Sequence, residues 1–522
     1  MEIMKSINKI YSMLMLVMAL VVLSSCDDDE FLEQTSPDQL TSESFWRNAA
    51  DARSGLTAAY SELESRSSFW DGWQEGRPVV EWFRSDYALP GPDATNYEHW
   101  MQMFNFTYTN GHTFVYVLWR TNYKGLNFAN QVITKVGEMT DEQISPEEKK
   151  QILGEAIFLR GYYHFKLLSL YEQIIVRNEF LSTENLDSPL SERSEAWTAV
   201  INDFSDAAEM LSYDTSLENY GRANRGAALA YLGKAYLHKA GDPTSAEGSD
   251  YDNAVAAFSQ IVQDGPYDLE TDFLSLFNGE NENNMESIFE LQFKSGDATS
   301  WNATRLHAFV GDWCVGGWGG IEASYHLVDA MKSEGMIAND GLYDNRLYGS
   351  LYFKDDYYND PANPEEMQGY TWDQLITWQY GSADAKDDTA YFRKWLPNYV
   401  WNNSYVGVNV VLMRYADVLL MHAEALNESG NTPDAIALIN QVRDVHGNMP
   451  ATTAVSQDEV RDQIMHERTM ELTLESTRFF DLRRWGKLDE AMQAAGRDGF
   501  SASAHAYLPV PLAEIQANPA ID

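Results

Sequence analysis

"VVLMRYADVLLMHAEALNESGNTPDAIALINQVRDVHG" is the sequence of residues 410–447, and this stretch decides the fold class. Small or apolar residues recur in its first half at alternating steps of four and three, which predicts one face of an α-helix. These positions are Leu412, Ala416, Leu419, Ala423 and Leu426. Thr432 and Pro433 then supply the N-cap and the first residue of a second helix. The stretch therefore predicts an antiparallel pair of helices.

The same spacing predicts further helices toward the N-terminus, within residues 42–63, 149–173, 193–211, 225–241 and 251–262. Gly241 is placed to end the fourth of them. The segments "LGKAY" and "AVAAF" put small residues where two helices would approach, as in a tetratricopeptide unit, although no constant period of about 34 residues links the pairs. We therefore predict a mostly α protein with a scaffold of tetratricopeptide-like helix pairs.

Two long segments interrupt this scaffold. Residues 66–112 and 266–407 show no sustained period and are dense in glycine and tryptophan. Within the second segment, "ESIFELQFK" alternates as a short strand does. We expect long loop-rich insertions with few short strands, an N-terminal helical region at 41–265 and a C-terminal region at 266–522.

The start of the chain has the pattern of an export signal. Lys5 and Lys9 precede an apolar stretch that ends at Leu23 and is shorter than the ~20 residues that span a bilayer, so a secretory signal is indicated. The end of this stretch, Leu23-Ser24-Ser25-Cys26, resembles the lipobox of bacterial lipoproteins. That resemblance implies that residues 1–25 are removed, that Cys26 carries the lipid, and that residues 26–40 form an acidic tether.

Four acids follow the cysteine, in the run "DDDE" at 27–30. This run resembles the signal that sends lipoproteins of the Bacteroidetes to the cell surface; the alternative is a periplasm-facing anchor with a solvated linker. The formal net charge of −42 excludes nucleic acid as a partner and disfavours anionic membrane surfaces, so only the lipid would hold the protein at a membrane. With Cys26 lipidated, Cys314 is the second of two cysteines and has no disulfide partner.

Five blocks resemble the SusD/RagB family of outer-membrane nutrient-binding lipoproteins. They are the opening stretch, "IMHERTMELTLESTRFFDLRRWG" at 464–486, "AYLPVPLAEIQANP" at 506–519, "GEAIFLRGYYHFKLLSLYE" at 154–172 and "GRANRGAALAYLGKAYLHKAG" at 221–241. With the lipobox, the resemblance covers nearly the whole mature chain. One departure is Ser476, which stands where the family usually has glycine.

The resemblance implies a binding protein rather than an enzyme. Members capture glycans, or in some cases peptides, and pass them to a SusC-like TonB-dependent transporter in the outer membrane. We therefore expect a lipid-anchored outer-membrane protein that faces the cell exterior and binds oligosaccharide through the insertion at 266–407. A peptide ligand, a lipid-anchored glycosidase and a tetratricopeptide-type adaptor without a small ligand stay open as alternatives.

Tryptophans in the insertions are the candidate ligand-binding residues. Aromatic rings cover the flat C–H faces of sugars, while neighbouring polar side chains can bond the hydroxyls. The candidates are Trp73, Trp313 and Trp318 first, then Trp70, Trp82 and Trp301. Glycines around Trp313 and Trp318 would allow an exposed ring and a close backbone approach. The alternative for each ring is packing in the core, which we expect for Trp46 and Trp485.

Glu467, Glu471 and Glu475 repeat at steps of four, but a glycosidase needs two carboxylates facing each other across a cleft. We expect these carboxylates to point outward on one helix face and to form a structural network with Arg468, Arg478, Arg483 and Arg484. No zinc-binding HExxH motif, nucleophile motif or phosphate loop occurs, so we expect no cofactor. The acidic, amide-rich loop at 278–284 has the composition of a structural calcium site without EF-hand spacing.

Overall fold

The computed structural model describes residues 45–64, 76–181, 186–216, 219–294, 304–362, 367, 369–385, 389–397 and 406–521, with residues 4 and 7 in addition. Cys26 and the predicted tether lie outside the described residues. So do Trp70, Trp73 and Trp301, three of the candidate ligand-binding residues. No helix in the described part of the chain combines the length and apolarity needed to cross a membrane.

Helices dominate the fold. In chain order they are α1 (Ala49–Glu64), α2 (Gly76–Trp82), α3 (Glu98–Phe104), α4 (Thr113–Gly137), α5 (Pro146–Leu170), α6 (Arg193–Met210), α7 (Arg225–Ala240), α8 (Asp250–Asp264), α9 (Leu306–Val310), α10 (Tyr325–Lys332), α11 (Asn345–Ser350), α12 (Asp356–Asn359), α13 (Trp372–Tyr380), α14 (Tyr415–Glu428), α15 (Thr432–Val445), α16 (Gln457–Leu472), α17 (Arg478–Arg484), α18 (Leu488–Ala494), α19 (Ala502–His505) and α20 (Leu512–Ala517). The strands are β1 (Ala88–Pro90), β2 (Ser287–Leu291), β3 (Ile321–Ala323), β4 (Leu351–Tyr352), β5 (Tyr391–Phe392) and β6 (Val410–Arg414). The predicted mostly α architecture with few short strands is confirmed.

The long helices pack side by side and build the scaffold. α1 packs against α4 and α5, and each helix from α4 to α8 packs against the next one. α8 then packs against α14, which contacts α15 and α16. The array therefore continues across residue 265, where the sequence placed a boundary, and residues from both sides of that boundary contribute to one continuous hydrophobic core.

Small residues set the close approach of paired helices, as the sequence predicted. A Cβ atom at Gly233 of α7 would lie 2.4 Å from the ring of Phe258 in α8. These two residues come from the segments "LGKAY" and "AVAAF". Close packing of α7 on α8 therefore depends on a position without a side chain.

Two details of the opening stretch differ from the prediction. Val410–Arg414 form strand β6 rather than the start of a helix, so Leu412 does not belong to the face of α14. Consecutive valines favour a strand, and β2 supplies the antiparallel partner. The N-cap of α15 is Asn431, and Thr432 is already the first helical residue.

Three two-stranded sheets tie the insertions to each other and to the scaffold. β1 pairs with β3, which joins the two insertions through Leu89 and Glu322. β2 pairs with β6 directly before α14, with Ser287 opposite Arg414. β4 pairs with β5 inside the second insertion. The insertions are therefore bonded to the frame at strand edges as well as packed on it.

A strained turn follows α16 at residues 473–477. Leu474 and Ser476 have φ values of 61° and 63°, in the left-handed region that residues with a Cβ rarely adopt. The Ser476 hydroxyl accepts a hydrogen bond from Nε1 of the buried Trp82 at 3.0 Å. The backbone conformation explains why glycine suits this position, and the hydrogen bond shows what serine adds.

We predict that Ser476→Gly gives a more stable protein than Ser476→Ala, by about 1 kcal/mol, because both lose the hydroxyl and only alanine keeps the strained Cβ. Urea unfolding of the two variants measures the difference. Ser333, with φ of −61°, is the matched control, and there alanine should be the more stable replacement. A Ser476→Ala variant at least as stable as the Ser476→Gly variant would contradict the assigned strain.

Candidate functional site

Trp313 presents an exposed ring held in a fixed position. It opens a 3₁₀ turn, Trp313–Val315, whose N-cap Asp312 accepts the N–H of Cys314 at 2.9 Å. The side chain is 44% exposed, and its Nε1–H donates to the carbonyl oxygen of Trp318. Because that bond uses the single polar group of the indole, the ring offers a ligand an apolar face.

The surrounding residues 311–320, here called the Trp313 loop, form a tightly hydrogen-bonded backbone. The N–H of Gly317 donates to the carbonyl of Asp312 at 2.8 Å, and the N–H of Trp318 donates to that of Ala308 at 2.7 Å. A Cβ atom at Gly317 would lie 1.8 Å from the carbonyl oxygen of Gly311. The glycine content thus allows one backbone segment to lie directly on another beneath the exposed ring.

The other described candidates are less accessible. Trp318 is half-buried, and the guanidinium of Arg305 lies 4.7 Å from its ring centroid. Trp82 is 3% exposed and belongs to the core, so it offers no ring face to a ligand. Trp46 and Trp485, which we expected in the core, are both half-buried. Nε1 of Trp485 donates a hydrogen bond to Glu424 at 2.9 Å.

Trp378 of α13 is 75% exposed and was not among the candidates predicted from the sequence. α13 packs beside the 3₁₀ turn of Trp313, and the hydroxyl of Tyr380 donates to Asp312 at 3.1 Å. Tyr370, directly before the N-cap of this helix, is 55% exposed. The signal was present in "TWDQLITWQY", because Trp372 and Trp378 stand on different faces of a helix at 100° per residue.

A cavity of about 560 Å³ lies elsewhere on the molecule and is here called the Tyr60 cavity. Its walls are the last two turns of α1, Lys124 of α4, the turn at 220–222, and residues 290–292 at the C-terminal end of β2. Two of these wall segments are close in sequence to other candidate tryptophans. Trp70 and Trp73 follow Glu64 within ten residues, and Trp301 follows Gln292 within ten residues. The ring of Tyr220 at its rim is 38% exposed.

Charges at the Tyr60 cavity are internally compensated. Nζ of Lys124 lies 2.6 Å from Glu62, and Nε of Arg222 lies 3.0 Å from Glu155 beneath the wall. Burial raises the pKa of Glu290, which is one of the residues that line this cavity. That carboxyl is 3% exposed and accepts hydrogen bonds from Ser287 at 2.6 Å and Asn409 at 2.7 Å, so it is held in the wall rather than presented to the cavity.

The glutamates of α16 form a buried charge network, as predicted, but they point inward rather than outward. Glu467 and Glu471 are fully buried, and Glu475 follows the helix after its end at Leu472. Arg414 lies 2.5 Å from Glu471, 2.8 Å from Glu475 and 2.9 Å from Glu286. Arg346 lies 2.7 Å from Glu467 and 3.1 Å from Glu471. The network therefore joins α11, α16, β6 and the residue before β2.

Three further cations complete this network. Arg443 lies 2.5 Å from Glu467, and buried Lys394 lies 2.8 Å from Glu475. Nδ1 of His446 donates to Glu471 at 2.8 Å, and its Nε2 lies 3.1 Å from Glu286. Despite the opposing effect of burial, these two carboxylates raise the pKa of His446 to about 9. The neighbouring cations hold the pKa values of the buried glutamates below their usual range.

The arginines predicted for this network have other partners, which corrects the sequence analysis. Arg468 pairs with Asp417 at 2.8 Å and with Asp481 at 2.9 Å. Arg478 pairs with Asp86, Arg483 donates to backbone carbonyls, and Arg484 pairs with Glu424. Asp481 of α17 pairs with both Arg468 and Arg484, so these residues belong to a second ion-pair cluster.

Metal sites are poorly supported by the described residues. Two clusters have ligand atoms close enough for an ion, Glu286–His446–Glu471 and Glu334–His466–Glu467. Arg414 and Arg443 already lie within 3 Å of carboxylates of these clusters, so a cation occupies each position. The calcium ion suggested for loop 278–284 stays a prediction.

Two family models match the chain. Residues 285–522 match the model described as the SusD family, and residues 85–237 match the model described as "Starch-binding associating with outer membrane". SusD-like protein P2 of Formosa agariphila is 25% identical over 535 residues, which cover 96% of each chain.

Solved structures share the fold. A structure described as a laminarin-binding SusD-like protein has a TM-score of 0.72 at 22% identity and covers 91% of this chain and 99% of its own. Surface glycan-binding protein A of Bacteroides thetaiotaomicron, in complex with laminarihexaose, has a TM-score of 0.69 at 20% identity, with 90% and 97% covered. At these sequence identities, the structural similarity establishes the fold alone.

We predict that His446 makes stability depend on pH. Because its pKa is raised from 6.5 to about 9, protonation stabilises the folded state fully below pH 6.5, and this contribution is lost as the pH rises through 9. Relative to His446→Gln, the wild-type free energy of unfolding should fall by about 2 kcal/mol between pH 6.5 and 8, at roughly 1.4 kcal/mol per unit.

The measurement is urea unfolding at pH 6.5 and 8. It stops at pH 8 because the pKa of buried Lys394 is lowered to about 8, which gives a contribution of opposite sign above that value. His164→Gln is the matched control, since burial lowers the pKa of His164 to about 3 and leaves it neutral at both pH values. Equal pH dependence in the wild type and His446→Gln would show that His446 is not a charged member of the network.

Proposed function

Because this chain belongs to the SusD family, we propose that it captures glycans at the cell surface and delivers them to a partner SusC-like TonB-dependent transporter. The observation that carries glycan binding is the Trp313 ring, exposed at 44% on a backbone that holds it rigidly. A fixed ring loses little conformational entropy when a sugar covers it, so the contact favours binding without reorganisation. Carbohydrate binding by solved relatives supports the choice of ligand class.

A peptide ligand is the second candidate, and charge compensation argues against a basic one. An acidic pocket without an exposed ring would favour basic peptides. At the Tyr60 cavity, however, Glu62 is paired with Lys124 and Glu290 is nine-tenths or more buried, while the ring of Tyr220 is exposed. Because Glu62 is paired and Glu290 is buried, these carboxylates offer little uncompensated negative charge to a cationic peptide.

Binding proceeds without catalysis in this proposal. Among the described residues, the carboxylates of α16 are buried in ion pairs, and the Glu290 carboxyl accepts hydrogen bonds from Ser287 and Asn409 in the wall of the Tyr60 cavity. A glycosidase would need an acid and a base on opposite sides of an accessible bond. The long insertions packed on the scaffold also argue against a simple helical adaptor.

The location follows from the start of the chain and the family. The family description associates its members with the outer membrane. Lipidation at Cys26 would anchor the protein, and the acidic residues 27–30 would keep the tether in water and direct it to the exterior. We propose no resident cofactor and no nucleic-acid partner, and the strong negative charge supports the latter.

We predict that Trp313→Ala weakens glycan binding about tenfold or more, since truncation of a central aromatic contact commonly costs about 1.4 kcal/mol or above. Calorimetric titration of the protein without residues 1–25 against laminarin, starch, xylan and pectin identifies the polysaccharide that binds. The same titration then measures the affinity of the variant for that polysaccharide. Tyr116→Ala, which removes a ring that is 39% exposed on α4, is the control and should bind normally.

Each result has a separate meaning. If no polysaccharide binds and a casein digest does, the ligand is peptide and the glycan proposal fails. If a polysaccharide binds equally well to the wild type and Trp313→Ala, the Trp313 loop is not the platform.

We predict that Cys26→Ala prevents membrane anchoring, because a single thiol carries the lipid. Cell fractionation should move the variant from the outer membrane to the aqueous fraction, and labelled fatty acid should enter the wild type alone. Protease treatment of intact cells should digest the wild type if it faces outward. Membrane retention of Cys26→Ala would contradict the anchor, and protection of the wild type would contradict the orientation.

A further inference from the structure

Helix α13 has one face in the core and one face in solvent. Trp372, Leu375 and Ile376 are buried and follow one another at steps of three and one, which is the inner stripe of an amphipathic helix. Gln374, Thr377 and Trp378 are exposed and form the outer stripe. A tryptophan on the solvent stripe contributes nothing to the packing of the helix.

The setting of Trp378 suits a sugar better than an apolar protein surface. Its ring is 75% exposed, and its helical neighbours on the outer stripe carry an amide and a hydroxyl. Protein interfaces bury contiguous apolar patches around their aromatic anchors. A ring flanked by neutral polar groups instead offers a face to the C–H groups of a pyranose and hydrogen-bond partners to its hydroxyls. The capping box of Thr371 and Gln374 fixes the start of the helix and with it the stripe.

The helix that carries this stripe contacts the Trp313 loop. α13 packs beside the turn of Trp313, and Tyr380 bonds Asp312, the N-cap of that turn, at 3.1 Å. Tyr370 adds a 55%-exposed ring two residues before this helix begins at Trp372. Trp313 and Trp378 therefore lie on two elements that are bonded to each other, and Tyr370 directly precedes the N-cap of the second one. The Tyr60 cavity shares no residue with these three rings.

We propose that Trp378 and Tyr370 form a second contact surface along α13, which binds the continuation of a glycan chain whose nearer part lies on Trp313. This inference rests on the proposed glycan-binding function and names its substrate class, a polymer rather than a short oligosaccharide. Two linked contacts raise affinity for a long chain through effective concentration, and a chain that reaches only one of them gains nothing.

The experiment compares chain lengths on the protein without residues 1–25. Laminarin and laminaritriose are the first pair of probes. If a different polysaccharide of the panel binds, that polymer and its trisaccharide are used instead. Trp378→Ala should weaken polymer binding about fivefold or more and leave trisaccharide binding within about twofold. Trp313→Ala should weaken both. Trp378→Phe should restore polymer binding because it restores a ring.

Val455→Ala is the matched control, since Val455 is also 75% exposed and lies away from α13 before α16. Unchanged polymer affinity in Trp378→Ala would overturn the second surface and leave glycan capture intact. Equal losses for polymer and trisaccharide would also overturn it, because Trp378 would then belong to the same contact as Trp313. If the wild type binds no panel polysaccharide, both proposals fail.

Discussion

The guanidinium of Arg414, surrounded by Glu286, Glu471 and Glu475, is the interaction on which the rest of the structure depends. Removing such charges from water costs several kcal/mol for each ion, and the cost is offset only if every charge has well-placed partners. The network meets this condition because Arg346, Arg443, Lys394 and the protonated His446 supply the remaining cations. Loss of one member would remove one of several partners from each buried charge that it contacts, so the charges are energetically coupled to one another.

The position of this network explains how irregular insertions are held on a helical scaffold. Glu286 immediately precedes β2, Lys394 follows β5, and Arg346 lies in α11, whereas Glu471 belongs to the scaffold helix α16. Ion pairs thus join three points of the second insertion, Glu286, Arg346 and Lys394, to the scaffold. The Trp313 loop keeps one conformation through its own backbone hydrogen bonds and the bond from Tyr380 to Asp312, while its ring faces solvent. The same rigidity that stabilises the fold therefore preorganises the candidate contact for a sugar.

The sequence predicted the scaffold well because helix periodicity and small contact residues are local signals. α6 begins at Arg193 as predicted, and Gly233 meets Phe258 where two helices cross. Pairing of distant segments is not a local signal, so Val410–Arg414 were assigned to a helix although β2 recruits them as a strand. For the same reason the glutamates of α16 were paired with sequence neighbours such as Arg468, whereas their partners Arg346 and Arg414 lie more than 50 residues away. At the candidate site, residue type and glycine content pointed to Trp313, but exposure is a tertiary property. The sequence therefore included Trp82, which is buried, and missed Trp378, which is exposed.

The central claim is that a rigid frame presents Trp313 to a sugar. A crystal structure of the wild-type protein with laminarihexaose, or with the hexasaccharide of another polysaccharide that it binds, tests this claim most directly. We expect a pyranose ring stacked on the exposed face of Trp313, with residues 311–320 and the ion pairs of Arg414 in the positions described here. A bound hexasaccharide located elsewhere, with Trp313 in contact with solvent alone, would contradict the account.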